Sequence, residues 1–194
     1  EDTSETIDLL VNDVDGDPLE FDITGGNNNI TYVHDQEQEN ITFIPIADFN
    51  GTEIFIIVVT DGFLSASQSI SVTVNAVNDA PLATVGLSGI TNEDQAVVIT
   101  LSGSDIDGDV LTFTLDTDAT NGGVVIDGNL ATYTPTLNYN GDDSFTFTVG
   151  DGEYTSNADV TLTVDAVNDA PVLATVSNVS FDEDGFGSTS LSGT

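Results

Sequence analysis

Apolar residues along this chain alternate with small polar ones in short runs, and each run ends in turn residues. Phe145-Thr146-Phe147-Thr148-Val149 and Val160-Thr161-Leu162-Thr163-Val164 are the clearest cases. Alternation of this kind buries one face of an extended strand and wets the other. Further strands are predicted at Ala96 to Leu101, Leu111 to Leu115, Gly123 to Ile126 and Ala131 to Pro135. Gly, Asn and Asp separate them at the spacing of a sandwich or barrel, and no stretch keeps a 3.6-residue period over three turns. The pattern predicts an all-β chain.

The pattern also repeats. Val77-Asn78-Asp79-Ala80-Pro81 returns unchanged as Val167-Asn168-Asp169-Ala170-Pro171. Phe49-Asn50-Gly51 returns as Tyr139-Asn140-Gly141, and Asp61-Gly62 as Asp151-Gly152, all displaced by 90 positions. Nearer the front the displacement is 92: Glu1-Asp2 matches Glu93-Asp94, and Asp13-Val14-Asp15-Gly16-Asp17 matches Asp105-Ile106-Asp107-Gly108-Asp109. A loop absorbs the difference. Glu183-Asp184 opens a third copy that stops before its own Asp-x-Asp. The expected organisation is therefore residues 1–79 as a first repeat, 80–169 as a second, and 170–194 as the start of a third. About seven strands in each repeat of roughly 90 residues fit an immunoglobulin-like sandwich without its Cys–Trp–Cys signature.

Composition then narrows the function. The 194 residues hold 34 Asp plus Glu, no Lys or Arg, one His and no Cys, for a formal charge of -34. With 39% hydrophobic residues a packed core can form. Without cations the chain cannot neutralise nucleic-acid phosphates or be drawn to an anionic membrane. Lys-terminated phosphate loops, Schiff bases, disulfides and Lys–Asn isopeptide staples are excluded with them. No apolar run reaches the length of a membrane span. The chain opens on Glu1-Asp2 with no cleavable signal, as a piece of a longer protein would.

Some acids, such as Glu37, Glu39 and Glu153, fall on turns where they simply solubilise. Others cluster at matching places in both copies: the opening Glu, the Asp-x-Asp-Gly-Asp, the later Asp-Gly and the closing Asn-Asp-Ala-Pro. Calcium prefers six to eight hard oxygen ligands, which such clusters supply. An EF-hand is ruled out. Counting from Asp13, position 6 is Pro18 and position 12 is Thr24; from Asp105 they are Val110 and Asp116, where Gly and Glu are needed.

The order Glu, Asp-x-Asp-x-Asp-x-Leu-x-Phe, Leu-Asn-Tyr-Asn (Leu137 to Asn140), Asp-Gly and Val-Asp-Ala-Val-Asn-Asp-Ala-Pro resembles the bacterial cadherin-like repeat of large surface adhesins. The resemblance spans both complete copies and the beginning of the third. It implies tandem Greek-key β-sandwiches, immunoglobulin-like or cadherin-like, arranged end to end, with Ca²⁺ bound where successive repeats meet. Carried over by position, the first junction would use Glu1, Asp48, Asn75, Asn78, Asp79, Asp105, Asp107 and Asp151. A second would use Glu93, Asn138, Asn140, Asp165, Asn168 and Asp169. Asp13, Asp15 and Asp61 would face a junction preceding Glu1. Two departures stand out: the corners read Asp48/Asn50 and Asn138/Asn140 where the family is usually acidic, and the Asp of the linker is followed directly by Ala-Pro.

The resemblance implies calcium-stiffened, non-catalytic extender modules of a secreted or surface-anchored bacterial adhesin. Their partners would be the neighbouring repeats of the same chain. Calcium-dependent binding of carbohydrate or of a like module on another cell is the alternative, as is an accessory segment of a secreted polysaccharide-degrading enzyme. His34, in a polar loop, is expected to be an ordinary surface residue. With no second His and no Cys, zinc and nucleophile sets cannot be built. Phe49, Tyr139, Phe145 and Phe147 are expected in the core, whereas Phe63 and Tyr154 are expected to be exposed. The third-copy segment is too short to fill a sandwich. It is left as loosely held, paired with a neighbouring module, or completing a module in another chain.

Overall fold

The computed structural model describes residues 1–173 and Glu183; expectations for the rest of the third copy lie outside the described residues. Strands account for all the regular structure there, in two compact units. Unit 1 contains Glu1–Pro81 and also the loops Ser104–Val110 and Asp151–Tyr154. Unit 2 contains Leu82–Gly103, Leu111–Gly150 and the described residues from Thr155 onward. Among the described residues no helix is long and apolar enough to cross a membrane.

Unit 1 carries β1 (Glu5–Asp8), β2 (Glu20–Gly25), β3 (Ile30–Asp35), β4 (Asn40–Pro45), β5 (Gly51–Thr60) and β6 (Ser65–Val74). They form two three-stranded sheets, ordered β1-β4-β3 and β2-β5-β6. Alternation sets which side chains turn inward. In β5, Glu53, Phe55 and Ile57 are buried while Ile54 and Ile56 face out. Ile23, Ile30, Ile41, Phe43, Phe55 and Ile57 make the core, with Phe43 and Phe55 ring centroids 5.0 Å apart. Phe49 packs against this cluster from its rim.

Unit 2 carries β7 (Leu82–Ala83), β8 (Leu87–Asn92), β9 (Val97–Thr100), β10 (Gly103–Ser104), β11 (Thr112–Thr117), β12 (Gly122–Asp127), β13 (Leu130–Pro135), β14 (Gly141–Gly150) and β15 (Thr155–Asp165). Sheets β11-β14-β15-β8 and β12-β13-β9 face one another, and the chain crosses between them repeatedly, the Greek-key wiring of a sandwich. Every strand expected from alternation is present. The expectation missed β8, which pairs in parallel with β15 from Val160↔Leu87 to Asp165↔Asn92. In β8 the large side chain, Ile90, faces solvent while Gly89 faces in. A Cβ on Gly89 would meet Ile99 at 3.0 Å and Leu162 at 3.1 Å, so this strand lies almost against the core. Phe145 and Phe147 are fully buried and Tyr139 packs at the edge, as expected. Phe63 is 91% exposed and Tyr154 44%, also as expected.

His34 departs from expectation. It lies in β3, half-buried, with its ring 4.9 Å from Phe21. The run Ile30-Thr31-Tyr32-Val33-His34 extends the strand into what reads as a polar loop.

Each unit buries one carboxylate at the same strand position. Glu53, 2% exposed, accepts hydrogen bonds from the backbone N–H of Asn27 (2.9 Å) and Asn29 (3.2 Å) and from the Asn29 amide (2.9 Å). Its counterpart Asp143 accepts from the N–H groups of Thr120 (3.1 Å) and Asn121 (2.9 Å) and from the Tyr133 hydroxyl (2.9 Å). Each replaces a positive partner with a fan of neutral donors that tie a loop to the core. Burial alone raises the Glu53 pKa, but the donors from Asn27, Asn29 and Ile30 outweigh it, and the net shift is downward. A lowered carboxyl pKa adds stability above the unfolded-state value, and that stability is lost as pH falls through the folded-state value. Glu53→Gln should cost about 1–3 kcal/mol at neutral pH. The deficit should close below about pH 4, as measured by urea unfolding of variant and parent across that range.

Candidate metal centre

Three loops of unit 1 converge on its acidic end. The Asp-x-Asp-Gly-Asp loop folds on its own first carboxylate: Asp105 Oδ1 accepts the Asp109 N–H at 3.2 Å, and Gly108 takes φ +80° to close the turn. The earlier copy does the same, with Asp13 Oδ1 accepting from Asp15 (2.8 Å) and Asp17 (3.1 Å). The Asp-Gly turn is held likewise: Asp151 Oδ1 accepts the N–H groups of Glu153 (2.6 Å) and Tyr154 (2.7 Å). The Asn78 amide donates to Asp151 Oδ2 at 2.9 Å and so joins linker to turn. That hydrogen bond holds the Asp151 carboxyl below its usual range, aided by the two backbone donors against the opposing effect of burial. Asp79 closes the set, donating its N–H to Asp107 Oδ2 at 2.8 Å.

The carboxylates meet in three overlapping groups, each with its oxygens within 4.8 Å of one another: Asp105/Asp107/Asp109, Glu1/Asp79/Asp107 and Asp2/Asp48/Asp79. Asp107 and Asp79 are each shared by two groups, so the three form one row. No cation of the chain lies among them, because there is no Lys or Arg. Both Glu1 carboxylate oxygens, Asp79 Oδ2 and Asp105 Oδ2 are buried without a hydrogen-bond partner. Burial followed by repulsion from Asp48, Asp107, Glu1 and Asp2 raises the Asp79 pKa.

All eight positions assigned to the first junction are brought together, with one difference of detail. Asn75 joins through its backbone carbonyl, which accepts the Glu1 amino group at 3.2 Å. Two residues were missed, Asp2 and Asp109. Asp2 Oδ1 accepts the Asp48 N–H at 3.1 Å, and its repeat counterpart Asp94 accepts the Asn138 N–H at 2.8 Å. The recurrence of Glu-Asp as a pair, rather than of Glu alone, was the signal available. Asp48 and Asn138 both take φ +58°. Asn and Asp tolerate that left-handed conformation better than longer side chains, so the corner's departure from the family pattern has a backbone cause.

The other two sets are differently placed. Glu93 is 6% exposed and Oε1 accepts the Val167 N–H, while its own N–H donates to the Asp165 carbonyl at 2.9 Å. Asn138, Asn140, Asp165, Asn168 and Asp169 are exposed, and none of them belongs to a group of three acidic ligands among the described residues. The Asn168 amide instead donates to the Asp169 carbonyl at 3.1 Å. Asp13 and Asp61 line one shallow groove of unit 1, with Asp15 exposed beside it. Asp61 Oδ1 accepts from Phe63 (2.7 Å) and Leu64 (2.6 Å), the arrangement of Asp151, and these donors lower its pKa.

Two-sheet sandwiches repeated in tandem, with acidic loops at their ends, define an immunoglobulin- or cadherin-type module. The family model of the bacterial Ig domain matches residues 1–75 and again 78–163. The chain belongs to that family. Among solved structures it is similar to EC1-2 of human protocadherin-24, at 18% identity and a TM-score of 0.58, over 84% of this chain and 88% of that one. It is similar to EC1-2 of chicken VE-cadherin at 13% identity and a TM-score of 0.42, over 84% and 91%. An endo-fucoidan hydrolase of glycoside hydrolase family 107 aligns at 25% identity with a TM-score of 0.40, over 87% of this chain. The chain spans only 27% of that hydrolase's length. Comparison with curated proteins finds no significant match.

The raised Asp79 pKa sets the sign of a pH effect. A raised carboxyl pKa favours folding at low pH, and that contribution is lost as pH rises through the folded-state value. In metal-free buffer at neutral pH, Asp79→Asn should therefore raise the melting temperature, with the difference from the parent shrinking toward pH 4. Differential scanning calorimetry in the presence of chelator reads both.

Proposed function

We propose that these repeats are calcium-rigidified extender modules of a secreted or surface-displayed bacterial adhesin, acting by length and stiffness rather than by catalysis. The observation that carries the reading is the set of buried, donorless carboxylate oxygens on Glu1, Asp79 and Asp105. A buried anion with neither donor nor counter-charge is costly. Here the donors cannot come from Lys or Arg, so an external cation is the economical partner.

The donor set suits a hard, oxygen-seeking ion. It consists of carboxylates together with the Asn75 carbonyl and the Asn78 side chain, with no thiol or imidazole. Calcium accepts six to eight such oxygens in flexible geometry. Glu1, Asp79 and Asp107 would hold the middle of the row, Asp105 and Asp109 one end, and Asp2 and Asp48 the other. When bound, the ion supplies positive charge that offsets the mutual repulsion of these groups. The chain's own contribution is arrangement. Self-folded Asp loops present oxygens already oriented, and Asn78 couples the linker to the Asp151 turn before any ion arrives. Ligands from the first repeat, the linker and the loops of the second would then be fixed around one cluster. Binding that favours the folded, joined state stabilises it by mass action. Affinity should fall in the range of extracellular modules, a dissociation constant of about 10⁻⁴–10⁻³ M.

Calorimetric titration with calcium should show saturable binding of more than one ion per chain. Chelation should lower the melting temperature and broaden the distribution of interdomain angles in small-angle scattering. Asp107→Asn, which touches two of the three acidic groups, should weaken binding at least tenfold without altering the fold. Identical scattering profiles and melting temperatures with calcium and with chelator would overturn the reading.

A further inference from the structure

β15 of unit 2 is covered on its outer edge by β8, which also closes the gap between the two sheets. The equivalent strand of unit 1, β6, pairs with β5 on one side and with no described strand on the other. The consequence shows in burial. Val160, Leu162 and Val164 are 0–3% exposed, whereas their counterparts 90 positions earlier, Ile70, Val72 and Val74, are only half-buried. Two grooves of about 400 and 370 Å³ run along this side. Ile7, Ile57 and Ile70 line the first, and Ile30, Phe43 and Val72 the second. Exposed strand edges are ordinarily guarded by charge. Yet β6, Ser-Ala-Ser-Gln-Ser-Ile-Ser-Val-Thr-Val, carries none in a chain with 34 acids.

The chain itself shows what fits such an edge: a short parallel strand immediately before a Glu-Asp pair. Leu87–Asn92 precedes Glu93-Asp94, and Ser177-Asn178-Val179-Ser180-Phe181-Asp182 precedes Glu183-Asp184. From Pro171 to Phe181 that second stretch is also free of charge. Its side chains match the unit 1 edge in size. In unit 2 the inward pairs are Leu87 with Val160, Gly89 with Leu162 and Thr91 with Val164. In the same register, residues 177, 179 and 181 place Ser opposite Ile70, Val opposite Val72 and Phe opposite Val74. The small residue moves to the strand facing the larger one, and Val72 in place of Leu162 leaves room where unit 2 requires a glycine. Phe181 would fill the groove lined by Phe43 and Val74.

We propose that the edge of β6 is a strand-accepting site, and that residues 177–182 of a second copy dock there in parallel, extending sheet β2-β5-β6 and closing the unit 1 core. Such a contact joins different surfaces of the two copies, head to tail, and so propagates into open chains or rings. It uses no acidic residue of the metal centre and does not rest on calcium.

The test is sedimentation velocity on the 194-residue chain from about 1 to 500 μM, in chelator and in moderate salt to screen the charge. It is paired with hydrogen exchange of the β6 amides. Association should grow with concentration, and β6 protection should rise with it at least tenfold. Val179→Asp combined with Phe181→Asp, outside the folded units, should leave a monomer with unprotected β6 and unchanged unfolding of units 1 and 2. Fusing a copy of residues 85–92 ahead of Glu1 should fill the edge in cis, giving a monomer with protected β6. A monomer at every concentration, β6 protection without association, or association that survives the double substitution would each overturn the proposal.

Discussion

Negative charge without an internal counter-charge governs how this chain solves each local problem. An acid in most proteins can be buried against Lys or Arg. Here every buried carboxylate must be satisfied by neutral donors or left waiting. Glu53 and Asp143 represent the first solution: fans of backbone N–H, an Asn amide or a Tyr hydroxyl satisfy them fully inside each sandwich. Glu1, Asp79 and Asp105 represent the second, with buried oxygens that no donor reaches. The contrast matters because both kinds occur in one unit. The chain can supply neutral donors to a carboxylate, as at Glu53, so their absence at Glu1 belongs to the arrangement of that end. A cation from outside is the partner that the proposed function supplies.

The loops at that end explain why the motif has its particular spelling. An Asp that accepts hydrogen bonds from N–H groups two to four residues ahead fixes a tight loop without help from the rest of the fold. Asp13, Asp61, Asp105 and Asp151 all do this with Oδ1. At Asp105 the other oxygen is left buried and unpartnered, and at Asp151 it takes up the linker through Asn78. One carboxylate thus performs two tasks, and Asn at these positions would supply only one acceptor oxygen for both. The corner residues show the converse. Asp48 and Asn138 serve a backbone requirement at φ +58°, which either residue meets, so the charge there is free to differ between copies.

The sequence carried most of the fold, and why it did is visible in the strands. β11 to β15 and β9 were legible because each buries alternate large side chains. β8 was not, because its inward residue at the closest approach is Gly89 and its largest, Ile90, points to solvent. A strand that seals a sandwich edge contributes backbone rather than bulk, and hydrophobic alternation is blind to it. His34 was misplaced for a related reason, since neighbouring acids mask a strand that packs against Phe21. At the site, residue identity and the repeat located Glu1, Asp79, Asp105 and Asp107. Asp2 and Asp109 escaped because their roles come from which oxygens end up adjacent, a three-dimensional property of loops far apart in sequence.

The two repeats are equal in sequence plan but unequal in closure, and the difference follows from one strand. With β8 in place, unit 2 buries fourteen core residues, among them Val160, Leu162 and Val164 of its edge-paired strand. Without a described counterpart, unit 1 buries six and leaves Ile70, Val72 and Val74 half open. The sheets themselves are otherwise equivalent, β1-β4-β3 and β2-β5-β6 answering β9-β13-β12 and β11-β14-β15. A missing outer strand therefore costs more than its own few hydrogen bonds, because it exposes the inward face of the strand beside it. This ties two features that look independent, since the module boundary is both where acids gather and where each sandwich's opening strand begins. Glu93 follows directly on β8, so closing the sandwich also positions the buried carboxylate that heads the next acidic cluster.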